Sequence, residues 1–160
     1  MQEHGLYIIS EQFFRDFPDP YLRGNKGGNR PHYYAFRDKT SGLFWMIPLS
    51  SRVGKYSRII ENRKQRNLPT DTLFICDIGT GKQSVFQIGD MFPVTAEYIE
   101  RAYTVGSIPL VLKNDVYVTE IEKRSQRVLN LLHHGVSFSP TQPDVLSIEK
   151  KLLRQTEFRL

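Results

Sequence analysis

The run Leu43-Phe44-Trp45-Met46-Ile47-Pro48-Leu49 constrains the fold of this chain more than any other stretch. It carries no charge, and Thr40-Ser41-Gly42 marks a turn just before it. An apolar run of this length reads as a strand buried on both faces. Such a strand needs paired neighbours and cover on both sides, so the chain must build a sheet around it. Pro48 has no N–H for the ladder, and pairing is expected to end there.

Other segments fit the same plan. Residues 5–9 and 32–36 read as strands, and residues 73–78 and 83–88 as a hairpin around Gly79-Thr80-Gly81-Lys82. Residues 91–94 read as a short turn or the start of a strand, and residues 95–103 are ambiguous between strand and helix. Ser10 is expected to cap a short helix over 11–17, which Pro18-Asp19-Pro20 ends. A second helix is predicted over 55–67, with Tyr56, Ile59 and Ile60 on one face. Asn114 or Asp115 opens the strongest helix, which runs to about His134 with Gly135 as its cap. Val116, Val118, Ile121, Val128, Leu129 and Leu132 form its apolar stripe. An amphipathic helix over 144–155 closes the chain. The fold class is therefore α+β. A compact, curved antiparallel sheet or half-barrel is surrounded by helices, and residues 1–160 form one domain.

Charge is unevenly placed. The chain carries a net +5. Residues 21–66 hold eleven basic side chains against Asp38 and Glu61, a net of +9, whereas the remainder nets −4. A basic region of this kind fits a polyanion, whose backbone charge dominates affinity. It also fits a solvated basic face with no partner. Four histidines and one cysteine, with no HExxH or CxxC pattern, predict no metal site and no cofactor. The lone cysteine suits a reducing cytoplasm, and neither a transmembrane run nor a secretory signal is visible. The glycine-rich stretch 24–30 is not a Walker A loop. It reads as a mobile basic loop whose Lys26 and Arg30 can meet phosphate.

The productive region joins His32 to Ser50, Ser51, Arg52, Lys55, Tyr56 and Arg58. Strand, hydroxyl pair, cations and helix N-terminus in that order suit a phosphate. Ser50 and Ser51 can bond phosphate oxygens. Arg52 can grip two oxygens, and Lys55 acts as a point charge on the growing transition-state charge. RNA needs no covalent help from protein, because its 2′-hydroxyl can attack the adjacent phosphate. His32 would carry the proton. Each assignment has a plainer reading. Ser51 is equally an N-cap, His32 a satisfied histidine, Lys55 and Arg58 solvated helix residues, and Tyr56 a core residue rather than a base platform. A non-catalytic RNA-binding module would use the same patch. A DNA-directed repressor is disfavoured, since the basic region lacks a helix-turn-helix pair.

These residues resemble a known family. The segments NRPHYYAF, LFWMIPLSSRVGKY, VFQIGDMFPVT and VSFSPTQPDVL are similar to the toxins of type III toxin–antitoxin systems, the ToxN/AbiQ group and in particular its CptN branch. The resemblance implies a MazF/Kid-like fold and a metal-independent, sequence-selective endoribonuclease acting on cellular mRNA. It implies inhibition by a repetitive RNA antitoxin that the toxin itself processes into short pseudoknots, in a closed cyclic complex. It places Ser50 and Ser51 in the active site, with Arg52 and Lys55 as the basic residues that follow. Some relatives carry a lysine after the proline that precedes the second strand. Here His32 follows Pro31, which implies proton transfer by imidazole. The active-site tyrosine of the preceding loop has no counterpart here.

Overall fold

The computed structural model describes residues 1–158. Strand β1 (Leu6–Ile9) leads into α1 (Glu11–Asp16). Strands β2 (His32–Arg37) and β3 (Phe44–Ser50) then precede α2 (Val53–Gln65). The middle of the chain gives β4 (Phe74–Asp77), β5 (Gln83–Phe86), β6 (Phe92–Val94), β7 (Ile99–Ala102), β8 (Thr104–Val105) and β9 (Ile108–Pro109). Helices α3 (Asp115–His133) and α4 (Val145–Phe158) finish it. The main sheet runs β4-β5-β3-β2-β1-β7, with β6 also paired to β3, and it does not close into a barrel. All its pairings are antiparallel.

β3 is the organising strand. β2 covers one edge from His32 opposite Pro48 to Arg37 opposite Phe44. Two strands share the other edge: β6 pairs with Phe44 to Met46, and β5 with Leu49 and Ser50. Pro48 therefore does not end the pairing. It sits where the neighbour changes, so its missing N–H disturbs neither ladder, while its carbonyl accepts from the Gln87 backbone. The result is that β3 carries Ser50 past the proline to the end of the sheet.

Trp45, Met46 and Ile47 are fully buried, together with Phe13, Phe86, Phe92, Ile121, Val128 and Leu152. Each such side chain contributes about 1.5–3 kcal/mol of transfer free energy. α3 packs on β2 and on the 3-10 turn Ile88–Asp90, and α4 packs on β6. A smaller cluster of Tyr56, Leu73 and Val85 holds α2 on the sheet.

Several local expectations change. Ser10 precedes α1, but its hydroxyl caps nothing and lies buried without a partner. α2 runs over Val53–Gln65, two residues early at its start, and its N-cap is Arg52, not Ser51, with no side-chain cap bond. Val116 is 75% exposed and falls outside the α3 stripe, since the Asn114 cap turns the first helical turn toward solvent. Residues 95–103 resolve into a 3-10 turn, Ala96–Tyr98, followed by β7. The β8–β9 hairpin turns on Gly106 and Ser107, both at positive φ (58° and 67°), as a two-residue primed turn requires.

Candidate nucleic-acid interface

The end of β3 opens into a cleft of about 610 Å³. Lys26 and Arg30 come from the α1–β2 loop, Ser50 and Ser51 from the end of β3, Thr80 and Lys82 from the β4–β5 hairpin, and Tyr103 from beyond β7. Among the described residues no acidic side chain lines it. Three cations and at least four hydroxyls therefore face one another without a counter-charge.

Each wall has a local cause. The glycine-rich loop is not a free tether. Asn25 is buried and its Nδ2 donates to the Ile9 carbonyl at 2.8 Å. The Asn25 carbonyl accepts from the backbone of Gly28, Asn29 and Arg30. Lys26, Gly27 and Gly28 take left-handed φ values of 51°, 66° and 91°, which close this turn. The hairpin tip is fixed in a similar way, because Asp77 Oδ1 accepts from the backbone of Gly79, Thr80 and Gly81. Ser50 Oγ accepts from the Arg52 backbone at 3.1 Å, whereas Ser51 is exposed at the cleft. The N-terminal turn of α2 begins directly after these serines, its first amide, Val53 N–H, donating to the Ser51 carbonyl at 2.9 Å, and it adds Val53 to the lining.

Arg30 is the most unusual cation. Its Nε and Nη1 are buried and have no hydrogen-bond partner. No carboxylate stands within ion-pair distance among the described residues. Burial lowers its pKa, the charges of Arg23 and Arg52 act in the same direction, and Asp90 opposes them. A cation held half out of water beside other cations raises the free energy of the empty cleft, and an anion relieves it.

His32 does not reach the cleft. It is fully buried between Phe14 and Phe92, with ring centroids 6.5 and 5.3 Å away. Burial drives its pKa down to about 3, and Arg30 pushes the same way. A backbone hydrogen bond to Arg30 opposes the shift without reversing it. The imidazole is thus neutral and inaccessible, which removes it as the proton carrier. Tyr56 is also corrected. It is buried, donates its hydroxyl to Gln87 Oε1 at 2.8 Å, and belongs to the packing under α2. Lys55 lies over its ring, 5.2 Å from the centroid, and borders a second cavity next to the first rather than the cleft itself. Arg52 and Arg58 are exposed on α2 and line neither cavity.

The chain matches no known family profile and no curated protein sequence. Its fold does match solved structures. AbiQ, a lactococcal anti-phage endoribonuclease of a type III toxin–antitoxin system, superposes with a TM-score of 0.73 at 10% identity, covering 98% of this chain and 99% of that one. A protein of a bacterial type III system, in which a non-coding RNA pseudoknot selectively inhibits the toxin, gives 0.67 at 15% identity over 98% and 99%. A protein of a bacterial antiviral system regulated by a processed non-coding RNA gives 0.64 at 15% identity over 94% and 98%. This chain has the type III toxin fold.

Within that fold, the cleft gathers Lys26, Arg30, Ser50 and Ser51 as expected neighbours, and adds Thr80, Lys82 and Tyr103, which sequence reasoning missed. The Asp77-Ile78-Gly79-Thr80-Gly81-Lys82 turn carried the one available signal, a cation at a hairpin tip. Its distance in sequence from Ser51 hid the pairing. Among the described residues no three His, Cys, Asp or Glu side chains stand close enough to hold a metal ion, and no helix is long and apolar enough to cross a membrane.

Proposed function

We propose that this chain is a metal-independent endoribonuclease toxin of the CptN type, acting in the cytoplasm as one unit on cellular mRNA. The observation that carries the reading is Arg30, a half-buried cation without an ion pair, on the wall of an acid-free cleft rich in hydroxyls. A ribose-phosphate backbone supplies the missing negative charge. Ser51 orients the scissile phosphate, and Arg30 and Lys26 offset its charge, with Arg52 and Lys55 supporting from the rim. The 2′-oxygen attacks phosphorus and the bond to the 5′-oxygen breaks. Water takes the 2′-proton, and the Lys82 ammonium returns one to the departing 5′-oxygen. The products are a 2′,3′-cyclic phosphate and a 5′-hydroxyl. A repetitive RNA antitoxin, processed by the toxin into pseudoknots, fills the same cleft in a closed toxin–RNA ring.

Incubating the purified protein with cellular RNA and sequencing the ends tests this. We expect discrete new ends bearing cyclic phosphate, and their loss in Ser51→Ala with antitoxin binding retained. Binding without new ends in the unaltered protein would replace the enzyme with a non-catalytic RNA-binding module. Full cleavage by Ser51→Ala would remove Ser51 from the mechanism.

A further inference from the structure

The cavity beside the cleft has a different chemistry. It encloses about 510 Å³ between the 20–23 loop, α2, the Ile88–Asp90 turn and residues Ser139 and Thr141 of the α3–α4 connection. Asp90 is its single acid. Arg23 and Lys55 face it, and the carboxylate is what sets this cavity apart from the acid-free lining of the cleft. Burial raises the Asp90 pKa, and Arg23 is the main opposing influence. Arg23 Nε stands 3.5 Å from Asp90 Oδ2, with the two side chains 38% and 24% exposed. An ion pair this open contributes about 0–1 kcal/mol, so the Asp90 carboxylate and the Arg23 guanidinium are accessible to a ligand.

Tyr21 supplies the second observation. Its side chain is 46% exposed, yet its backbone is pinned. Asp19 Oδ1 accepts from the Tyr21 amide at 2.8 Å, and Asp19 Oδ2 accepts from the Asp144 amide at 2.9 Å, just before α4. An exposed aromatic on a fixed support, beside a carboxylate–guanidinium pair, is what an unstacked RNA base requires.

We propose that this cavity is a nucleobase subsite and that it selects guanine. Guanine alone among the four bases offers two adjacent donors, N1–H and the N2 amino group, beside an acceptor, O6. Asp90 accepts the two donors and Arg23 donates to O6, while Tyr21 stacks on the ring. Adenine and cytosine turn a ring acceptor toward the carboxylate, and uracil offers one donor between two acceptors. Arg30, on the wall of the cleft, is within electrostatic reach of Arg23 and Asp90 in this cavity. A base in this pocket therefore neighbours the phosphate in the cleft. The subsite deepens the ribonuclease reading and rests on it for its biological meaning.

The test measures binding apart from cleavage. Short 2′-O-methyl oligouridylates carrying one central guanine, inosine or adenine cannot be cut. Their affinities for the full-length protein are read by fluorescence anisotropy, with cleavage of unmodified RNA mapped in parallel. Guanine should bind on the order of 10-fold tighter than inosine, which lacks only the N2 amino group, and tighter still than adenine. Asp90→Asn should erase that preference, and Tyr21→Ala should weaken all three oligonucleotides alike. Equal affinities in the unaltered protein, or a preference that survives Asp90→Asn, overturn the subsite. The inosine comparison needs no variant, so a misfolded mutant cannot decide the outcome. Cleavage without guanine preference removes the subsite and leaves the ribonuclease. Preference without cleavage removes the ribonuclease and leaves the subsite.

Discussion

Arg30→Met separates what the cleft costs the fold from what it gives the chemistry. Methionine keeps the length and apolar stem of the side chain but removes the charge. Each N–H group buried without a partner costs about 1–3 kcal/mol, and Arg30 has two, Nε and Nη1. The partly wetted remainder of the guanidinium and the pull of Asp90 offset some of that cost. A net stabilisation of about 1–2 kcal/mol is therefore expected, or a rise of roughly 3–6 °C in Tm for a chain of this size. Function moves the other way. A charge-assisted hydrogen bond to phosphate is worth about 1.5–3 kcal/mol, so kcat/KM should fall about 10- to 100-fold. The slope of log affinity against log salt should shrink by about one. Thermal denaturation and single-turnover RNA cleavage on the same preparation decide it. A variant that loses stability and cleaves RNA normally would refute the reasoning, because Arg30 would then be a structural residue with partners in solution.

Two further perturbations bear on the reassigned residues. The unfolded chain protonates His32 near 6.5 and the folded chain only near 3. Between those values the unfolded state binds the extra proton, so stability is intact above pH 6.5 and falls toward pH 3 by about 1.4 kcal/mol per unit from this residue. His32→Leu should flatten that acid slope in urea titrations at successive pH values while leaving the pH–rate profile unchanged in shape. A lost limb in the rate profile would return His32 to the chemistry. Lys55, Arg58, Asn62 and Arg66 line one exposed face of α2 at helical spacing, about 4.5–6 Å apart along the axis. Replacing Arg58 and Arg66 together by alanine should weaken RNA binding equally across sequences and lower the salt slope by about two; an unchanged slope excludes this face from the RNA path.

The sheet was legible where one strand fixed its own environment. Leu43 to Leu49 is apolar throughout, so burial on both faces followed without tertiary information. Pro48 misled because a change of neighbour along one edge leaves no local mark. The β8–β9 hairpin went unread, because its two-residue strands are too short to show alternation. In the site, the adjacent serines could be found because sequence neighbours stay spatial neighbours. His32 could not be placed, since His-Tyr-Tyr-Ala-Phe offers no polar face from which to tell inside from outside. Asn25 looked like one more polar residue in a flexible loop, and only its buried bond to Ile9 reveals it as the pin. Lys82 and Tyr103 reach the cleft through sheet order alone, so no spacing rule could have brought them to Ser51.

The burial of His32 also accounts for the distribution of charge around the cleft. Arg30 is its close neighbour; burial lowers the pKa of both, and the Arg30 charge lowers that of His32 further. Two adjacent cations cannot both be held charged in that volume, and arginine is the one that cannot release its proton. The imidazole therefore stays neutral and joins the aromatic packing of Phe14 and Phe92, which anchors the start of β2 two residues after Arg30. With a permanent cation installed there, a titrating group at the same place is redundant for binding phosphate. In the proposed reaction proton donation falls to the Lys82 ammonium beside the β4–β5 turn, while Lys26 on the other pinned turn offsets charge. Asn25 and Asp77 hold the two turns, so under the proposed function the charge that would meet a phosphate is set in place before RNA binds.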